Sequence, residues 1–162
     1  MGVIAALIHE CGHIFMMIAL SCRPTCIKLS FYGAGITTGS TVPSSNLHMI
    51  LISAAGPLAN IISLWMIHIF KGNAEAQLVH TALAAINLIP VFPLDGGQIL
   101  HHLFQTTETN RSGVTVCCVI EGVSIFLLLC IGILLLFYTG YNFTLLLVGI
   151  YVIFCKLFHK WN

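Results

Sequence analysis

Residues 9–13 read His-Glu-Cys-Gly-His. On a helix, His9 and His13 lie four residues apart and therefore one above the other on the same face. Two imidazole nitrogens so placed can reach one Zn²⁺, and Glu10 beside them can take a proton from water at the metal. A catalytic zinc needs at least three protein ligands while keeping one position open. Candidates for the third are His48, His68, His80, Asp95, His101, His102, Glu121 and His159. Asp95 stands out because it sits in "NLIPVFPLDGG" (87–97), where prolines interrupt the backbone and a short carboxylate can project into a polar cavity. Its other reading is an N-cap of the helix that resumes at Gly96, a role compatible with ligation.

The surroundings of this motif are apolar. The chain has 162 residues, 58% of them hydrophobic and 7% charged, with a mean hydropathy of +1.00. Soluble domains carry about 25% charged residues, so the composition points to a polytopic membrane protein of one domain. The net charge of +1 and the lack of a basic cluster give no reason to expect a nucleic-acid partner. Seven cysteines lie mostly in apolar segments without a disulfide or paired CxxC pattern, and read as small buried side chains. Cys22 and Cys26 flank Arg23 at a membrane edge, where an accessory metal or redox role is the alternative. The first segment lacks a basic leader and a cleavage site, so it reads as mature structure.

Apolar runs define the spans that must position the chemistry. Residues 1–20 form the first, 47–70 the second with Pro57 expected to kink it, and 76–105 the third. The third is broken at 90–97 by two prolines and two glycines; such a break at membrane depth is tolerated only against protein or a water-filled cavity. Residues 114–138 and 143–158 supply two more, in a second segment covering 106–162. Between the first two spans, "IKLSFYGAGITTGS" has β-branched and aromatic residues around Gly33 and Gly35, the pattern of a short hairpin or re-entrant loop. With residue 1 outside, five of the six basic residues (Arg23, Lys28, Arg111, Lys156, Lys160) fall on the cytoplasmic side and only Lys71 outside, which favours that orientation. An intramembrane His-Glu-His cluster carries an insertion cost of at least ~2.5 kcal/mol per ionisable residue, so it calls for a function.

HExxH in one helix, "AAGPLAN" (54–60) in the next and "NLIPVFPLDGG" in the third together resemble the site-2 protease family of intramembrane zinc metalloproteases, most of all its bacterial branch of stage IV sporulation proteases. The resemblance covers residues 1–105, the region of a three-helix catalytic core. It implies an all-α polytopic membrane fold of about five transmembrane helices with a short re-entrant β-hairpin. By the same resemblance His9, His13 and Asp95 are ligands of one Zn²⁺ and Glu10 is the general base. Asn60 matches a polar position near the active site, while Asn87, Pro90 and Pro93 match the loop that shapes substrate access. Gly33 and Gly35, in "FYGAG", match a re-entrant loop that pairs with an extended substrate. The implied activity is hydrolysis of a peptide bond in or near a transmembrane segment of a membrane-tethered protein, for example a sigma-factor precursor or an anti-sigma factor, in a bacterial cytoplasmic membrane. The partners implied are that substrate, the lipid bilayer and membrane regulators. Relatives usually carry a membrane helix before the HExxH helix, and this sequence begins at that helix.

Two readings from other classes stand beside this one. A zinc transporter needs polar residues spread along a path through several spans, whereas here they cluster at one depth. A catalytically inactive family member acting as a binding module is expected to lack a ligand or the Glu, and all four residues are present. Outside the motifs, His101 and His102 are expected to line or cap the cytosolic end of the third span. Glu121 is an expensive carboxylate within a span, expected either to be protonated and hydrogen-bonded or to gate substrate entry. Tyr138, Tyr141, Tyr151 and Trp161 read as interfacial anchors.

Overall fold

Among the described residues three helices carry enough apolar length to cross a membrane. In a computed structural model of the chain these are α1 (Gly2–Ala19), α2 (Asn46–Ile69) and α5 (Arg111–Thr139), each with an 18-residue stretch of mean hydropathy 1.7, 1.8 and 2.7 in turn. The structure describes residues 1–21, 24–30, 33–38, 45–104 and 110–158. At about 1.5 Å per residue, the 24 residues of α2 span roughly 36 Å and the 29 of α5 roughly 44 Å. The third apolar run of the sequence is two shorter pieces, α3 (Ala74–Asn87) and α4 (Asp95–Leu103). Neither alone reaches the ~30 Å thickness of a hydrocarbon core. The apolar α6 (Thr144–Phe158) follows α5.

Local chemistry fixes most of the ends. The Ser45 hydroxyl accepts from Leu47 N at 3.3 Å and starts α2, and the Asn73 side chain accepts from Glu75 N at 2.8 Å to start α3. Asn110 accepts from Gly113 N at 3.1 Å at the head of α5. Gly140, at φ 75°, closes that helix in the left-handed conformation glycine adopts without a steric penalty. Helix α2 continues through Pro57, which has no N–H to offer the ladder.

Two strands, β1 (Pro24–Ser30) and β2 (Gly33–Thr38), pair antiparallel between α1 and α2. Gly33 stands opposite Ser30 and Gly35 opposite Lys28, and the register is irregular near Pro24. Strand β2 lies within the segment read from the sequence as a short hairpin or re-entrant loop, and β1 begins three residues before that segment, at Pro24.

The break in the third run is shorter than expected. Backbone bonds from Val91 N to Ile89 O (2.8 Å) and from Leu94 N to Val91 O (2.9 Å) fold residues 88–94 into tight turns, and the helix resumes at Asp95. Gly96 and Gly97 were expected among the breakers and instead lie inside α4. The physical reason is space. A Cβ at Gly96 would run into the Leu88 carbonyl, and one at Gly97 into the Val91–Phe92 peptide. The glycines let α4 lie directly on the turn that precedes it, so the prolines alone make the break.

The helices form a layered bundle in which α2 touches α1, α3 and α4, while α5 links α4 to α6. Gly12 of α1 lies against the Ala55 carbonyl of α2, where a Cβ would come within 2.5 Å of that oxygen. This crossing of small residues brings two backbones together, as membrane helices often do. Outward surfaces are apolar, with Val3, Leu7, Phe15, Trp65, Phe137 and Leu157 all exposed.

Candidate metal centre

Among the described residues the buried polar side chains are few: His9, Ser53, Asn60, His80, Asp95 and Glu121. Four of them form one connected cluster where α1, α2, α3 and α4 meet. His9 and His13 project from α1 with their rings edge to face, centroids 4.8 Å apart. Asp95 reaches them from the first turn of α4. Its Oδ2 lies 3.0 Å from His9 Nε2 and 3.4 Å from His13 Nε2, and the two Nε2 atoms are 3.2 Å apart. The side chains are 7%, 12% and 12% exposed.

These three edges can be compared with a metal. Zinc bound by nitrogen or oxygen at 2.0–2.1 Å in tetrahedral geometry has ligand atoms about 3.3 Å apart. The observed separations of 3.0, 3.2 and 3.4 Å bracket that value. Asp95 Oδ2 is also buried without a donor in hydrogen-bonding geometry. An unpartnered buried carboxylate oxygen between two imidazoles is costly unless a cation sits among them. His13 Nδ1 donates to the Ile52 carbonyl at 2.7 Å, which leaves the His13 Nε2 lone pair facing Asp95. The residues therefore fit a divalent metal of zinc type. The three are also the set of His, Cys, Asp and Glu among the described residues whose ligand atoms converge, all within 4.8 Å of one another.

Backbone geometry makes room for the cluster. A Cβ on Gly56 of α2 would collide with His13 Nε2 and come within 2.8 Å of His9 Cε1. The glycine of "AAGPLAN" is thus the floor on which both imidazoles rest. One turn further along α2, the fully buried Asn60 donates from Nδ2 to His9 Nδ1 at 3.0 Å, and its Oδ1 accepts from His80 Nδ1 at 2.9 Å.

The remaining expected site residues lie as follows. Glu10 is exposed, next in chain to buried His9. Asn87 turns back on its own helix, its Nδ2 donating to the Leu83 carbonyl at 3.1 Å. Pro90 and Pro93 stand half-buried in the turns between α3 and α4. Gly33 and Gly35 lie on β2.

One sequence reading needs correction, and a second gains its partners. Asp95 does not cap α4: Leu94 occupies the N-cap position, and no side chain caps that helix. Its carboxylate is drawn to the imidazoles instead. Glu121, expected to be hydrogen-bonded to a neighbour or to gate substrate entry, is held by three donors: Lys156 Nζ lies 2.6 Å from its Oε2, and His101 Nε2 and Phe92 N donate to its Oε1 at 2.9 and 3.1 Å. The carboxylate is 1% exposed, and these partners satisfy it inside the bundle. His101 accordingly belongs to this second cluster. His80, weighed as a third ligand, supports His9 from behind through Asn60.

Comparison with known proteins gives three similarities. Residues 73–131, which contain Asp95 but not the HExxH segment, match the family model described as "Peptidase family M50". The stage IV sporulation protein FB of Bacillus subtilis (strain 168) is 27% identical over 113 residues, covering 61% of this chain and 37% of that protein. The chain thus spans little more than a third of that curated relative. The fold is similar to the solved site-2 protease from Methanocaldococcus jannaschii, with a TM-score of 0.63 at 24% identity, over 94% of this chain and 72% of that one. The chain is thus similar to a peptidase family model in its middle third, to a sporulation protein in sequence and to a solved site-2 protease in fold.

Proposed function

We propose that this chain is an intramembrane metalloendopeptidase that holds one Zn²⁺ on His9, His13 and Asp95 and cleaves a membrane-tethered protein in or beside its transmembrane segment. The observation that carries the proposal is the triangle of His9 Nε2, His13 Nε2 and Asp95 Oδ2, with edges of 3.0–3.4 Å. It is buried among helices long and apolar enough to cross a bilayer. When bound, zinc supplies Lewis-acid polarisation of the scissile carbonyl and lowers the pKa of its water toward ~7.

The chain's own residues do the rest. Glu10, exposed beside the buried ligands, takes a proton from the attacking water and returns it to the departing amide nitrogen. Gly56 and Ile52 of α2 hold the imidazoles in place. The substrate is itself a helix whose carbonyls are hydrogen-bonded, so it must unwind before attack. The β1–β2 hairpin offers a strand edge on which an extended segment can pair, with Gly33 and Gly35 on the second strand. Asn87, Pro90 and Pro93 border the break through which water reaches the site.

In this reading α3 and α4 act as one interrupted span, which gives five crossings in a bacterial cytoplasmic membrane with the N-terminus outside. The substrate class is a membrane-tethered regulator such as a sigma-factor precursor or an anti-sigma factor, as the similarity to a sporulation protein suggests.

The test is cleavage of a reporter transmembrane peptide by the purified chain in detergent. Glu10→Gln should keep stoichiometric zinc and lose cleavage. Undiminished proteolysis by that variant would sink the assignment.

A further inference from the structure

The turn over residues 88–94 presents Asp95, and its own backbone does little to hold it. Pro90 and Pro93 have no N–H to donate. Val91 N and Leu94 N bond within the turn, to Ile89 O and Val91 O. The Phe92 N–H instead leaves the turn and donates to Glu121 Oε1 of α5 at 3.1 Å. Helix α4 has no side-chain cap, so the direction in which it starts depends on how this turn is held.

Glu121 Oε1 also lies 2.9 Å from His101 Nε2. Phe92 comes three residues before Asp95 and His101 six after it, so one carboxylate oxygen grips the segment bearing Asp95 on both sides. Gly97 makes that grip consequential. Helix α4 rests so closely on the Val91–Phe92 peptide that a Cβ at Gly97 would run into it. A peptide packed against α4 and tied to α5 cannot turn without carrying α4 along. The second oxygen of Glu121, Oε2, is 2.6 Å from Lys156 Nζ of α6, which fixes the rotation of the carboxylate. We infer that Glu121 is a positioning residue of the metal centre: anchored by Lys156 and acting through the Phe92 N–H, it sets the turn that aims the Asp95 carboxylate at His9 and His13. Ligand distances hold to within about 0.2 Å in a working site, so a small rotation of the turn is enough to weaken it. Helices α5 and α6 thereby contribute to metal affinity without supplying a ligand.

This role for Glu121 rests on the proposed zinc site and is testable apart from it. Two double variants are compared with the unmutated chain in detergent micelles, each stripped of metal and titrated with Zn²⁺ in competition with a chelator. Both carry Lys156→Met, so neither leaves a cation without its partner. Glu121→Gln keeps an oxygen that can accept from the Phe92 N–H, whereas Glu121→Leu offers none. The unmutated chain should bind one Zn²⁺, and Glu121→Gln with Lys156→Met should stay close to it. Glu121→Leu with Lys156→Met should bind about tenfold more weakly, the low end of what losing an outer support of a ligand costs. Circular dichroism should show the same helicity in all three.

Failure of the unmutated chain to bind Zn²⁺ overturns the metal reading and the inference with it. A binding parent with the leucine variant at parent affinity overturns the Glu121 role alone; that result is expected if Glu121 only ties helices together or only admits substrate. Equal weakening of both variants overturns it too, because the acceptor would then not matter. Where leucine lowers the helicity, Glu121→Met takes its place in the same comparison. Hydrogen exchange at the Phe92 amide of the unmutated chain needs no variant: exchange as fast as that of an exposed loop amide overturns the role.

Discussion

Lys156 of α6 places its ammonium 2.6 Å from Glu121 Oε2 of α5, while the other oxygen of the same carboxylate binds His101 of α4 and the Phe92 N–H of the turn before Asp95. One buried side chain thus connects the turn before Asp95 to the last two helices. Removing it strands a cation. Glu121→Ala should destabilise the protein by about 3 kcal/mol, the low end for breaking a buried pair, because Lys156 keeps 32% of its side chain exposed. Thermal unfolding in detergent measures this, and an unchanged midpoint would show that the pair does not hold α4 to α5 and α6.

Gly56→Ala tests the floor of the metal centre. The added methyl meets His13 Nε2 and His9 Cε1, while the rings are held on their other sides by the Ile52 carbonyl, Asn60 and Asp95. Zinc affinity should fall by at least about tenfold, since even support of a ligand from behind is worth that much. Helicity should be retained. A chelator competition giving parent affinity would mean that the imidazoles can retreat.

Asp95→Ala separates ligation from stability. Its Oδ2 is buried without a hydrogen bond, so with zinc stripped the substitution should leave the protein at least as stable as the parent. The unmutated chain should gain about 2.7 kcal/mol when free Zn²⁺ reaches one hundred times its dissociation constant. Asp95→Ala should gain far less. Paired unfolding curves with and without zinc check both statements, and a full zinc-dependent gain in the variant would remove Asp95 from the ligand set.

Chelation should act as a reversible switch. Stripping zinc should abolish reporter cleavage, and restoring one equivalent should recover it. Cleavage that persists in the stripped protein would point to chemistry independent of the site.

Much of this was readable in the sequence because the relevant signals are local. His9 and His13 are set by helical periodicity, the break by Pro90 and Pro93, and the spans by runs of apolar residues. Helices α1, α2, α5 and α6 fall on apolar runs read at 1–20, 47–70, 114–138 and 143–158, and the third run returns to helix at Asp95. There the two glycines looked like breakers, because glycine's weak helix preference is visible in sequence whereas the Leu88 carbonyl it must clear is not. The pairing of Glu121 with Lys156 joins residues 35 apart, and that of Asn60 with His80 joins residues 20 apart on different helices. No periodic pattern encodes such partners. Lys156, counted by its charge among the cytoplasmic basic residues, is engaged by Glu121, which a count of charges cannot reveal.

The seven residues between Asn87 and Asp95 also serve as a ruler. His80 is carried before them and Asp95 after them, so their number fixes the rotation of one half-span relative to the other. Each residue added to a helix turns the remainder of that helix by about 100°. One residue inserted just before Asp95 would carry the carboxylate to another face while keeping every residue of the 87–97 motif and changing only its spacing. Among chains bearing the same motifs, the spacing between them is therefore as informative about a working centre as the residues themselves.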